Sequence, residues 1–108
     1  MVFIEQEDGH IKDVSFELLT KARELASELN EKVSAFVVGE KVSNLTDEIA
    51  SYGADIIYTV EDKEFKYYRT LPYFHAAKKA VREENPQIVL FGATLIGRDL
   101  APHVASYF

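Results

Sequence analysis

The feature that most constrains this chain is a repeated alternation of short apolar runs with stretches of helical spacing. The runs are Val2-Phe3-Ile4, Val33-Ser34-Ala35-Phe36-Val37-Val38-Gly39, Ile56-Ile57-Tyr58-Thr59-Val60 and Ile88-Val89-Leu90-Phe91. Runs of this kind suit strands covered on both faces, which belong to parallel sheets. Strand–helix units in succession imply right-handed crossovers with helices on both sides of the sheet. The expected fold is α/β, a doubly wound, Rossmann-like parallel sheet with its strands in the order 3-2-1-4. The order reverses between the first and fourth strands, so a site is expected at their carboxyl ends. The fourth strand would stand at an open edge, which invites pairing, and the chain therefore reads as unfinished.

Local signals fill in the units. Asp8-Gly9 marks a turn, after which residues 11–14 are expected to return as a brief edge strand. Ser15 reads as the N-cap of a first helix whose apolar stripe is Leu18, Ala22, Leu25 and Leu29, ending near Asn30. Asn44, with Asp47 three residues on, reads as the cap of a short second helix, and Gly53 suits the position just past its end. A charged loop, Glu61 to Arg69, carries Phe65, Tyr67 and Tyr68. These aromatics either fold back on the domain or meet a partner. Thr70 then caps a long helix with Pro72 in its first turn, and its buried stripe is Tyr73, Phe74, Ala77 and Val81. Asn85-Pro86 ends it.

Composition excludes several classes. Eighteen acidic against twelve basic residues give a net charge of −6, which disfavours a nucleic-acid backbone as partner. There is no cysteine, so disulfides and cysteine-ligated zinc or iron–sulfur clusters are ruled out. No stretch approaches the roughly 20 apolar residues that span a bilayer, and no targeting segment is in view. His10, His75 and His103 lack any metal-ligand spacing, so no metal is expected.

The most informative stretch runs from the fourth strand through Gly92-Ala93-Thr94-Leu95-Ile96-Gly97-Arg98-Asp99-Leu100-Ala101-Pro102. Its glycines let the backbone turn and let a neighbour approach. Asp99 is the preferred N-cap of the last helix, with Pro102 at its third position, and Thr94 caps a separate turn before it. Leu100, Val104 and Phe108 share one face of that helix. Arg98 would meet an anionic ligand or a partner surface, or pair locally with Asp99. The stretch fails the GxGxxG dinucleotide fingerprint at its second glycine, and there is no GxSxG nucleophile elbow and no Walker loop. No catalytic residues are expected.

This stretch resembles the GATxxGRDLAPR motif of the electron transfer flavoprotein alpha subunit. Residues 16–26, Phe-Glu-Leu-Leu-Thr-Lys-Ala-Arg-Glu-Leu-Ala, resemble that family's LELLxKARELA segment, and Tyr52-Gly53-Ala54-Asp55 resembles its YGAD turn. His103 departs from the pattern, standing where the family usually carries arginine. The resemblance implies that residues 1–108 are the amino-terminal domain, with FAD held by a carboxyl-terminal domain absent from this chain. It further implies a beta subunit as partner, dehydrogenase electron donors such as those acting on acyl-CoA, and a quinone-linked acceptor. Arg98, Asp99, Phe65, Tyr67 and Tyr68 are the expected interface, in a protein of the bacterial or archaeal cytoplasm or, otherwise, the mitochondrial matrix. The expected sheet is of the adenine nucleotide alpha hydrolase-like kind, and the alternative expectation is a stand-alone adenine-nucleotide-binding module of related fold, using a crevice at Thr94, Gly97 and Arg98.

Overall fold

A computed structural model describes residues 1–108. Three strands, β1 (Val2–Ile4), β4 (Ser34–Gly39) and β5 (Ile56–Glu61), form a parallel sheet in the order β1-β4-β5. Val2 lies opposite Ala35, and Ser34 opposite Ile56. Successive residues of β1 and β4 point to opposite faces. Val2, Ile4, Ala35 and Val37 pack with Leu19 and Ile49 on one side. Phe3, Phe36 and Val38 pack with Tyr73, Ala77, Leu100 and Val104 on the other. Helices α1 (Asp13–Leu29) and α2 (Thr46–Ser51) thus cover the first face, and α3 (Thr70–Glu84) and α4 (Leu95–Tyr107) the second. That arrangement is the doubly wound architecture.

Residues 88–91 run beside β1 without forming the expected fourth strand. Val2 and Leu90 make one parallel bridge, in which Phe3 N donates to Leu90 O at 3.0 Å and Leu90 N to Met1 O at 2.8 Å. The segment has a neighbour on one side only. Pro86 and the corner at Gly92 also cut it short, so the order 3-2-1-4 is not established as a four-stranded sheet. The return from Asp8-Gly9 is likewise shorter than expected. It is a hairpin of β2 (Gln6–Glu7) and β3 (His10–Ile11), closed by positive φ at Asp8 and Gly9, while Val14 is already helical.

Two helix starts differ from the local reading: one candidate cap serves a group outside its helix, and the other is supplanted by a distant carboxylate. Ser15 lies inside α1, whose N-cap is Lys12, and its buried hydroxyl accepts the backbone N–H of Glu5 at 2.7 Å. Asn44 caps nothing. A short turn of 3₁₀ helix (Ser43–Leu45) leads into α2, and the carboxylate of Glu61, at the end of β5, accepts the N–H groups of Val42 and Ser43 at 2.7 Å each. Those two bonds, Ser43 first, hold the Glu61 carboxyl below its ordinary pKa. The α1 stripe is also displaced, to Leu19, Ala22 and Ala26, while Leu25 and Leu29 are 37% and 53% exposed, beside Ile88, where no element covers them. Gly53 (φ +111°) ends α2 as expected, its N–H bonded to Ala50 O. Asn85 ends α3 in the left-handed region.

Replacing Ser15 by alanine strips a buried N–H of its acceptor. We expect Ser15→Ala to cost about 1–3 kcal/mol, seen as a lower denaturant midpoint at unchanged slope.

Candidate functional site

The corner between residues 92 and 99 lies at the carboxyl end of β1. Glu5 follows β1 directly, and its Oε2 accepts the hydroxyl proton of Thr94 at 2.7 Å. Thr94 in turn caps α4: its Oγ1 accepts Gly97 N–H at 3.0 Å, and its backbone oxygen accepts Arg98 N–H at 2.8 Å. The last helix is therefore continuous from Leu95, and Asp99 sits within it rather than at its start. Thr94 captures the cap because its extended backbone and short hydroxyl meet the first free N–H groups before Asp99 can. Pro102 then falls in the helix interior. It and Arg98, whose carbonyl loses a donor, are both exposed, so water can serve that oxygen.

The glycines pack the corner against itself. A Cβ on Gly97 would stand 1.9 Å from Gly92 O, and one on Gly92 would stand 3.0 Å from Glu5 Oε2. Neither glycine leaves room for a side chain. Open cavities lie elsewhere, one of about 390 Å³ among Gln6, Asp8, Glu40, Lys41, Asn44 and Lys66, and a groove of about 590 Å³ between β5 and α3.

Asp99 has another use. Its Oδ2 accepts the hydroxyls of Tyr68 and Thr70, both at 2.6 Å, so Thr70 tethers α4 instead of capping α3. The Thr70 bond, then that of Tyr68, lowers the Asp99 pKa. Burial first, and then the Asp99 bond, pushes the Tyr68 phenol upward. Between β5 and α3 the loop folds back on the domain through two of its three aromatics, the first of the two readings left open above. Phe65 is buried edge-on to Tyr73, whose hydroxyl donates to Phe65 O at 2.7 Å, and the Tyr68 ring lies 4.8 Å from Tyr73. Tyr67 alone points outward, 73% exposed. With Asp99 engaged, no pair with Arg98 forms; the Arg98 side chain is exposed and has no hydrogen bond or ion pair. Leu95 beside it is 86% exposed.

Of the five expected interface residues, the structure brings Asp99, Tyr68 and Phe65 into internal roles and leaves Arg98 and Tyr67 at the surface. Phe65, being buried, cannot meet a partner unless its loop unfolds. The histidines do not converge with other donors, and no group of three His, Cys, Asp or Glu side chains could hold a metal. His103 uses Nδ1 on the carbonyl of Asp99, 2.8 Å away. The residue that sequence reasoning missed is Glu5. Its signal was an acid placed immediately after a wholly apolar strand, but its partner Thr94 is 89 residues away.

The fold and its corner define a doubly wound α/β domain in which the end of β1 is tied to the start of the last helix. Residues 1–108 match the electron transfer flavoprotein domain, and the chain belongs to that family. It is 41% identical over 105 residues to the electron transfer flavoprotein subunit alpha of Thermoanaerobacterium thermosaccharolyticum, covering 97% of this chain and 32% of that protein. The subunit of the same name from Megasphaera elsdenii is also 41% identical, with 97% and 31% covered. An acryloyl-CoA reductase electron transfer subunit beta of Anaerotignum propionicum is 38% identical, with 97% and 29% covered. The chain thus spans less than a third of the length of these relatives.

Two outcomes follow from the geometry. Gly97→Ala drives a methyl group into a backbone oxygen and should cost about 1–3 kcal/mol or more, read by thermal unfolding. Asp99→Asn should destabilise the domain at neutral pH. A lowered folded-state pKa gives stability that is present above the unfolded value, about 3.9, and lost as pH falls through the folded one. The melting temperatures of the two proteins should therefore converge in acid.

Proposed function

We propose that residues 1–108 are the amino-terminal domain of an alpha-type electron transfer flavoprotein subunit, serving as scaffold and interface. In this reading the domain holds a beta-type subunit and a carboxyl-terminal, FAD-bearing domain in register. Electrons then pass through that FAD from an acyl-CoA dehydrogenase or a similar donor to a quinone-linked acceptor. The likeness to subunits named for electron transfer supports it, and the acryloyl-CoA reductase subunit supports a CoA thioester among the redox partners. The bacterial relatives support a bacterial cytoplasm as its location.

One observation carries the interface reading. The corner consumes its own polar groups, with Glu5 on Thr94 and Asp99 on Tyr68 and Thr70, yet Arg98, Leu95 and Tyr67 remain outward and unused. Exposed Arg and Tyr side chains without internal roles suit protein contact, for which they are the usual anchors. No electron-transfer step is assigned to residues 92–99, whose polar groups serve the helix start. The domain's own chemistry is positional. Asp99 and Thr94 hold the start of α4 rigidly, and rigid placement reduces the ordering cost of assembly.

The test is co-expression of the full-length protein with its beta-type subunit. Arg98→Ala and Tyr67→Ala should each weaken assembly, by about tenfold if they are anchors, without changing the fold seen by circular dichroism. A double variant that co-purifies as well as the parent would sink the interface reading.

A further inference from the structure

We infer that the partner surface seated on the outer face of α4 brings a carboxylate to Arg98. The inference rests on the interface reading above and names the chemistry of its other half. The buried residues of α4 are Gly97, Leu100 and Val104. Opposite them, Leu95, Arg98, Pro102 and Ala105 are all exposed and form one stripe, spaced i, i+3, i+7 and i+10. Helix α1 shows what a solvated face looks like in this chain: Glu17, Lys21, Glu24 and Glu28, all exposed and all charged. The α4 stripe instead sets one charge among uncharged side chains, and Pro102 and Ala105 have almost no rotamer freedom to lose on contact.

That one charge is left unpaired from inside the domain. None of the three ion pairs of the chain includes Arg98. The acids tied to this helix start are engaged elsewhere, Asp99 by Tyr68 and Thr70, and Glu5 by Thr94 and Lys12. The first turn of α4 holds no acid, so the helix dipole adds to the positive potential of the guanidinium. Across the bond from Tyr68 to Asp99, the loop brings a second cation, Lys66, with its Nζ 5.6 Å from the ring centroid of the outward Tyr67. A chain of net charge −6 thus presents cations at this place. The complement of an uncharged stripe with one fixed cation is an uncharged surface with one acid. A guanidinium takes a carboxylate through two parallel bonds, a geometry that lysine does not reproduce. Pro102 adds to the offer, because without its N–H the carbonyl of Arg98 has no helical donor and the same residue presents an acceptor as well.

The experiment compares the dissociation constant of the full-length protein with its beta-type subunit in the parent and in Arg98→Gln, Arg98→Lys and Arg98→Glu, at low and high salt. Arg98→Gln should weaken assembly about tenfold and Arg98→Lys less. Arg98→Glu should weaken it at least about tenfold beyond Arg98→Gln, because it sets like charges face to face. Added salt should weaken the parent complex more than the Arg98→Gln complex. Exchanging the acids of the beta-type subunit for lysine one at a time should restore assembly with Arg98→Glu at one position, and the absence of any such position overturns the inference. Equal losses in Arg98→Gln and Arg98→Glu also overturn it, but leave Arg98 as a contact, so the interface reading stands. Assembly of all three variants at the parent's strength overturns it as well, and Tyr67→Ala then decides the interface reading alone. Calorimetric titration of the assembled complexes with inorganic phosphate covers the remaining occupant. Heat with the parent that is lost in Arg98→Gln would mark the guanidinium as open to a free anion and overturn the inference.

Discussion

The hydrogen bond between Glu5 and Thr94 joins the end of the first strand to the start of the last helix across 89 residues of chain. Glu5 is the residue on which both faces of the sheet depend. Its backbone N–H and carbonyl are held by Ser15 Oγ and Lys12 N at the start of α1, and its side chain by Thr94 at the start of α4. Helix α1 lies on one face and α4 on the other. A buried carboxyl group is costly unless bonded, and bonds to charged groups contribute about 1.5–3 kcal/mol each, so the corner is cohesive only while this arrangement is whole.

Glu5 is the most buried member of a set of acids that tie separate elements together. Glu61 closes the turn before α2, and Asp99 binds the loop before α3 to α4. Asp55 accepts Val33 N–H and the Arg23 guanidinium, linking the starts of β4 and β5 to α1. The Val33 bond, before that of Arg23, keeps the Asp55 carboxyl below its ordinary pKa. Glu84 on α3 accepts the hydroxyl of Tyr58 on β5 at 2.5 Å, which pushes that phenol up to about 12. Several of the acids therefore have structural work within the domain. A protein with net charge −6 needs no basic ligand to explain it.

The three strands of the sheet were legible because an apolar run covered on both faces writes itself into consecutive residues. The C-terminal ends of the helices, at Asn30, Gly53 and Asn85, were legible because a left-handed or positive φ makes a local demand on residue type. The N-terminal ends were not. Ser15, Asn44, Thr70 and Asp99 all carry the right side chain at a plausible offset, and each was read by a local rule. In the folded chain Ser15, Thr70 and Asp99 answer to groups brought near by tertiary packing. Only Thr94 both looks like a cap and acts as one at an α-helix, and even its hydroxyl proton is committed to a distant acid. The fourth strand was over-read for the opposite reason: its residues suit a strand, but with one neighbour they form only a bridge. The position of the corner beside β1 was legible from the topology, whereas its bond to Glu5 was not, because no pattern in residues 88–102 points to a partner 89 residues away.

Arg98 is the exception in a corner where polar groups otherwise answer to one another. A cation in the first turns of a helix opposes the positive end of the helix dipole, and α4 has no acidic residue in its first turn to offset it. The nearest candidate on the helix, Asp99, is committed to Tyr68 and Thr70, and Glu5 faces inward. Arg98 thus contributes nothing evident to the stability of the domain and carries a small electrostatic cost. Leu95, nearly bare on the same helix start, gains nothing from its exposure either. Two side chains that folding does not use, fixed in place by a helix start that folding does use, are what a preorganised contact surface requires. On the proposed interface reading, the bonds of Glu5, Thr94 and Asp99 inside the domain and the outward display of Arg98 and Leu95 are one arrangement, the first holding the second in place.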